Sequence, residues 1–476
     1  MERPADPGTE PQNTIDRILV MNPATRMPVG TIHRGSAGDV DSAVIRAGAA
    51  LSGFAKKDPV DRGKILSTAA GMVRTGQEDL ARLLTAEQGK PLKESRNEIA
   101  GFARILEYYA SISGQMRGDY GHSTTYGHAI VQRHPIGICG AIIPWNVPGI
   151  IMGWKVGPAL AAGNAVILKP ASSAPLTCIQ LAGLLHKSGI PEDILQVVTG
   201  QGEIVGEAMA AHPDIRSISF TGEVKTGRRV AELAAPTFKR TTLELGGSDP
   251  MIVCSDADLT DAARGAVAGR FYNCGQTCTA VKRLFVDATI AQDFIRKLEL
   301  LISSLSVGNG LLSGTDMGPI HSESQRTLVE EQVEKTLEGG YGILKYGGSA
   351  PSSGDLTDGY FYQPTLLTDL VPDAPVLREE VFGPVLPVMT YDTLDDAFLG
   401  ANNTRFGLGA SIWTHDMRIA TRACEELQAG IIWVNQHLKI PPEVPFGGCK
   451  DSGIGRENGR YAIEHYLEEK TILVKP

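Results

Sequence analysis

Between Asp39 and Gln88 apolar residues recur at helical spacing: Val40, Val44 and Ala47, then Ile65, Leu66, Ala69 and Val73, then Leu80, Leu83 and Leu84. A period near 3.6 brings such positions onto one face, so the spacing predicts a run of helices. Between 131 and 255 the texture changes. Short apolar runs (Ala165–Leu168, Ile194–Val198, Ser217–Phe220 and Met251–Val253) alternate with helix-like segments at 175–188, 203–212 and 226–235. Buried strands separated by helices predict an α/β fold with a parallel sheet, whose ligands lie at the carboxyl ends of the strands. A second alternating set runs from about 257 to 445, with strands near Arg283–Val286 and Gly430–Val434. The end, Tyr466–Val474, reads as an amphipathic strand whose free edge calls for a partner, such as another subunit.

The chain has 476 residues, beyond the size at which single cores stop growing, so at least two domains are expected. Hydrophobic content of 42% and charged content of 21% are those of a chain that can pack a core. Residues 1–14 are polar and proline-rich and read as a disordered arm, without the apolar run of a secretory signal. The longest apolar stretch, Ile136 to Leu168, is broken by Pro144, Asn146, Pro148, Lys155 and Pro158, which argues against a membrane span. The net charge is −9 and the Lys and Arg residues are scattered, so the basic stripe of a nucleic-acid protein is missing. Seven widely spaced cysteines with no signal segment point to reduced thiols and a cytoplasmic location.

Three short segments carry candidate chemistry. Phe271–Ala280 reads FYNCGQTCTA, placing Cys278 beside a Gly/Gln/Thr turn. A thiol with a pKa of about 8.5 is a nucleophile only where its site favours the thiolate. Cys274 and Cys278 could suggest zinc, but no second Cys/His pair supplies the other ligands, so no metal is expected. Leu243–Pro250 reads LELGGSDP, with Glu244 ending an apolar segment, where a raised pKa would suit a general base. Ile143–Pro148 reads IPWNVP, in which two prolines constrain the backbone around Asn146, whose amide could donate to an oxyanion. Taken singly, each has an ordinary explanation: an inert buried cysteine, a strand-end acid, a turn asparagine.

Together, in this order and spacing, these segments resemble the aldehyde dehydrogenase superfamily. NAVILKPAS at 164–172, FTGEVKTG at 220–227, EEVFGPV at 379–385 and PFGG at 445–448 extend the resemblance from about residue 20 to the carboxyl end. It implies an aldehyde dehydrogenase-like α/β fold with a parallel-sheet cofactor domain, an α/β catalytic domain and a small β oligomerisation element. The implied boundaries are 15–115 and 136–246 for dinucleotide binding, and 247–446 for catalysis. Residues 447–462 return to the cofactor domain, and 116–135 with 463–476 form the oligomerisation element of a homodimer or homotetramer. The resemblance implies Cys278 as nucleophile, Glu244 as base, and Asn146 with the Cys278 backbone N–H as oxyanion donors. The reaction implied is oxidation of an aldehyde to a carboxylate through a thiohemiacetal and a thioester. Relatives that transfer the acyl group to coenzyme A typically lack the glutamate, so Glu244 argues for hydrolysis. A phosphorylating or coenzyme A-acylating enzyme and a catalytically silent descendant remain the alternatives.

No GxGxxG fingerprint occurs; Gly200–Gly206 (GQGEIVG) comes close, with one residue too many. By resemblance, Ile143, Pro144, Trp145, Phe220, Thr221 and Leu245 line the cofactor site, and Gly202 lies near the adenine. Gly222 and Gly227 flank the helix start that faces the pyrophosphate. Glu223 stands where many relatives have a serine; a carboxylate there repels phosphate unless it turns away to cap the helix. Lys169 and Ser172 lie where the adenosine ribose would sit, with no acid to repel a 2′-phosphate, so NADP or NAD is expected with NADP mildly preferred. Glu380 would hold the nicotinamide ribose and Phe382 would pack near the ring. Val147, Trp154, Tyr272, Thr279 and Phe446 fall at the aldehyde tunnel. No arginine pair marks a semialdehyde carboxylate, and the particular aldehyde is not legible.

Overall fold

The computed structural model describes residues 16–116 and 118–475; the arm expected at 1–14 lies outside them. The run of helices opens with Ala37–Ala55, started by a capping box in which Ser36 and Asp39 satisfy each other's backbone N–H groups. Pro59–Thr75 follows, capped by Asp58 with Pro59 in its first turn. Gln77–Gln88 ends at Gly89 in the left-handed region, and Leu92–Ile112 buries Ile99, Phe102, Leu106 and Tyr109.

These helices pack on a six-stranded sheet. Its spatial order is Gly453–Ile454, Arg240–Glu244, Ile215–Thr221, Ile138–Ile142, Ala165–Lys169, Leu195–Val197. All neighbours are parallel except Gly453–Ile454, which runs antiparallel to Arg240–Glu244. The chain enters at Ile138–Ile142, builds outward on one side, and then returns to build on the other. The order therefore reverses beside Ile142 and Phe220, where open α/β sheets leave a ligand crevice. Helix Pro148–Ala162, with Pro148 at its start and Gly163 at its end, is buried on nearly every side. Its largely apolar surroundings explain why the Ile136–Leu168 stretch is so hydrophobic.

A seven-stranded sheet follows in the order Ile343–Tyr346, Thr365–Thr368, Val385–Tyr391, Val281–Asp287, Asp249–Val253, Gly409–Trp413, Ile431–Val434. Only Ile343–Tyr346 is antiparallel. Met251–Val253 belongs here, between Val281–Asp287 and Gly409–Trp413, and not to the strand set of 131–255 in which its texture had placed it. Periodicity identifies a buried strand but not the sheet that buries it. Four residues, 245–248, carry the chain from the carboxyl end of one sheet to the amino end of the other, so the two sheets meet at LELGGSDP. The third sheet is antiparallel, in the order Leu467–Val474, Gly127–Pro135, Asp119–Ser123. Leu467–Val474 pairs along its length with Gly127–Pro135 and leaves its other edge free, with Leu473 65% exposed. Among the described residues no helix is long and apolar enough to cross a membrane.

Candidate active site

Helix Leu259–Phe271 ends in a turn where Asn273, Cys274 and Gly275 all take left-handed backbone angles. The turn lies against EEVFGPV, and a Cβ on Gly275 would come within 2.2 Å of the Gly383 carbonyl, so only glycine fits. Asn273 ties the turn to helix Leu92–Ile112 and to the Asn146 loop. Its N–H donates to Glu94 (2.9 Å), and its amide donates to the carbonyls of Asn146 (2.9 Å) and Gln276 (3.1 Å). The Asn146 side chain itself donates to the Gln276 carbonyl at 3.1 Å, two residues before Cys278. From behind, Lys90 donates to the Asn146 carbonyl (2.7 Å) and to Glu98 (2.6 Å), in a pair with no solvent exposure.

The glycines of LELGG have a steric explanation. A Cβ on Gly246 would lie 2.0 Å from Glu380 Oε2, and one on Gly247 would lie 2.7 Å from the Cys278 carbonyl. The pair lets the cysteine backbone and the Glu380 carboxylate lie against the link between the sheets. Glu244, at the strand end, is buried, and its carboxylate oxygens make no hydrogen bond. Gly447 of PFGG faces it, since a Cβ there would fall 2.5 Å from Glu244 Oε1. Cys278 keeps partial exposure while its neighbours from Asn273 to Thr277 are buried.

Residues 9–472 match the model of the aldehyde dehydrogenase family. The chain is 39% identical to a phenylacetaldehyde dehydrogenase of Pseudomonas fluorescens, over 96% of this chain and 93% of that protein. It is 38% identical to an NADP(+) succinate-semialdehyde dehydrogenase of Escherichia coli, over 97% and 95%. The solved betaine aldehyde dehydrogenase of Staphylococcus aureus in complex with NAD+ superposes with a TM-score of 0.94 at 32% identity, over 96% and 92%. The chain belongs to the aldehyde dehydrogenase family. It is a nicotinamide-dependent oxidoreductase that takes an aldehyde to the carboxylic acid.

The electrostatics of this dehydrogenase centre on two buried lysines that the sequence reading had not assigned. Lys155 Nζ lies 2.5 Å from Glu457 and 2.8 Å from Ser219 Oγ. Burial pushes Glu244 well above the usual carboxylate range, and the negative Glu457 adds to it; Lys155 and Arg456 oppose. Lys282 Nζ donates to the Cys278 carbonyl and to Glu380, both at 2.7 Å, and sits 5.5 Å above the Phe382 ring. Burial pushes the Cys278 thiol up to about 12. A sequence signal existed for Lys155, a single charge inside an apolar helical run; Glu457 and Lys282 carried none.

Several residues expected to hold the cofactor lie together at the switch point. Ile143 N–H donates to the Lys169 carbonyl at 2.9 Å, and Gly222 N–H to that of Glu244 at 3.0 Å. Trp145 stacks on His321 at 4.4 Å and meets the Phe382 edge at 5.6 Å; Pro144 precedes it. A dinucleotide fits these residues on three observations. Thr221 Oγ1 is buried without a partner. Lys169, lowered to about 8 by burial, bonds only its neighbour's carbonyl among the described residues. Helix Val224–Ala234 starts with no side-chain cap on its N–H groups. The exposed Glu223 carboxylate does not cap that helix and accepts instead from Thr226 at 2.9 Å. Gly222 and Gly227 also have packing roles, because Cβ atoms there would meet Phe220 at 2.5 Å and Leu245 at 2.4 Å. Gly202 is open to solvent. Ser172 spends its hydroxyl on the Gly200 carbonyl at 2.6 Å, so it is not free to donate to a ribose phosphate as it stands.

At the mouth, Trp154 and Phe446 lie 4.9 Å apart, and Val147 and Cys278 pack on the same apolar cluster. Thr279 is buried, with its carbonyl accepting from His437 at 2.7 Å. Tyr272, half-buried just before the left-handed turn, has its hydroxyl held protonated by burial and by the charges of Glu94 and Glu98.

Proposed function

We propose that Cys278 attacks the aldehyde carbon, with one Asn146 amide N–H and the Cys278 backbone N–H receiving the oxygen that becomes anionic. An amide carries two N–H donors, and anchoring to the Gln276 carbonyl uses one of them. Bound nicotinamide supplies the hydride acceptor. The resulting thioester on Cys278 is hydrolysed by a water whose proton passes to Glu244, releasing the carboxylate and restoring the thiol. The observation that carries this reading is the convergence of Asn146, Glu244 and Cys278 from two domains onto one link. Glu244, unpaired and buried, favours hydrolysis over acyl transfer to coenzyme A or phosphate.

Lys169, Thr221 and the uncapped helix start support a dinucleotide laid over the carboxyl ends, with Gly202 toward the adenine and Glu380 toward the nicotinamide ribose. Lys169 faces no carboxylate among the described residues, which supports NADP being used at least as well as NAD. The five residues at the mouth carry no charge, which supports aldehydes with uncharged, apolar bodies. The free edge of Leu467–Val474 supports a homo-oligomer, and seven free cysteines support a cytoplasmic, reducing setting. The test is to mix enzyme, an aldehyde panel and each cofactor, following nicotinamide reduction and the mass of the Cys278 peptide. An acyl adduct on Cys278 that decays to free acid is expected; reduction without any adduct would overturn the reading.

A further inference from the structure

Lys282 stands at the start of the strand that follows the nucleophile, and its side chain is only 1% exposed. Its ammonium is shared between the Cys278 carbonyl and Glu380 Oε1, each at 2.7 Å, and rests against Phe382. Glu380 also accepts from the Gly247 N–H at 3.2 Å and is 21% exposed. One cation therefore bridges the nucleophile's backbone and the carboxylate assigned to the nicotinamide ribose. We infer that Lys282 is a positioning residue that links cofactor binding to the reactivity of Cys278. Without cofactor its charge is largely neutralised by Glu380. When ribose hydroxyls draw the Glu380 carboxylate away, the charge turns to Cys278 and stabilises its thiolate.

The charges around the sulfur agree with this arrangement. Asp249 at the start of its strand, Glu380 and Glu244 all hold the proton on Cys278, and Lys282 opposes them. His437, the remaining titratable group beside Lys282, is neutral near physiological pH, lowered to about 4 by burial. Glu380 thus acts on the thiol twice, by its own charge and by neutralising the opposing Lys282 cation. The inference rests on the roles proposed above for Cys278 and Glu380.

The experiment is alkylation of Cys278 by iodoacetamide from neutral to alkaline pH, read by mass spectrometry of its peptide, with and without NADP. A rise of one pKa unit lowers the thiolate fraction ten-fold and raises the nucleophilicity of what remains by about three-fold, for a Brønsted slope of ~0.4–0.5. Lys282→Gln should therefore alkylate about three- to ten-fold more slowly than wild type without cofactor, and NADP should no longer shift its pH profile. Lys282→Arg should restore both. Glu380→Gln should alkylate faster than wild type and likewise lose the NADP-dependent shift, which keeps the test decisive if Lys282→Gln does not fold. Equal profiles for wild type and Glu380→Gln, or for wild type and folded Lys282→Gln, would overturn the link. If alkylated Cys278 still turned over aldehyde, the nucleophile assignment would fail instead, and the two failures are distinguishable.

Discussion

Of the buried lysine–glutamate pairs around the reacting centre, Lys155–Glu457 near Glu244 and Lys282–Glu380 near Cys278 differ in what they leave uncompensated. Beside Glu244, Lys155 is closed on Glu457 and Ser219, both at hydrogen-bond distance, so its charge is already satisfied. Glu244 is left with burial and a second carboxylate, which hold its proton on. Beside Cys278, Lys282 divides itself between a carboxylate and a neutral carbonyl, and that carboxylate is partly exposed and can be taken by a ligand. The first pair sets a standing electrostatic environment. The second is open to change. A buried ion pair alone says little about stability, since desolvation offsets much of the attraction; what it does depends on which neighbouring group keeps the remainder.

The largest effect expected from breaking this comparison is loss of the sulfur itself. Cys278→Ala should lower turnover at least about 10⁴-fold while cofactor still binds by calorimetry. Substantial turnover would end the assignment. Removing the other group by Glu244→Gln should cost about 10²–10⁴-fold in steady state yet leave a burst of reduced cofactor in rapid mixing, because acylation precedes the water step. An absent burst with unchanged steady-state turnover would take Glu244 out of the mechanism.

Away from both pairs, Ser172→Glu should depress NADP use about ten- to a hundred-fold and NAD use much less, measured as kcat/KM. Equal losses would show that position 172 does not face the 2′ group. The comparison is sharpened by Glu457→Gln. Glu244 acts when deprotonated and its pKa is raised, so turnover should climb with pH. Removing the neighbouring charge lowers that pKa and frees Lys155, moving the acid limb of the kcat profile down by about one pH unit, or up to about ten-fold at fixed pH. An unmoved limb would mean that another group sets it. The smallest change is expected for Cys274→Ala, a buried thiol that serves packing: activity kept, and about 1 kcal/mol of stability lost in a denaturant melt. A large activity loss would reopen a paired role for the two cysteines.

Much of the site could be read before the fold. Asn146, Glu244 and Cys278 were each legible because proline, glycine and polar residues interrupt apolar runs at those points, and the structure gives steric reasons for the glycines of LELGG and PFGG. The direction of the Glu223 carboxylate was open in the sequence, because it depends on local competition, here a hydroxyl one turn along.

The sequence by itself determined the elements: helices from a 3.6 period, buried strands from continuous apolar runs, and the candidate nucleophile, base and amide from short motifs whose order and spacing resemble a known family. All of these depend on order along the chain. The tertiary structure alone decided that Met251–Val253 joins the second sheet, that Lys155 meets Glu457 across 302 positions and that Lys282 meets Glu380 across 98. A charge pair is stabilised by distance in space and by the loss of water around it, and neither quantity is written in the spacing of residues along the chain.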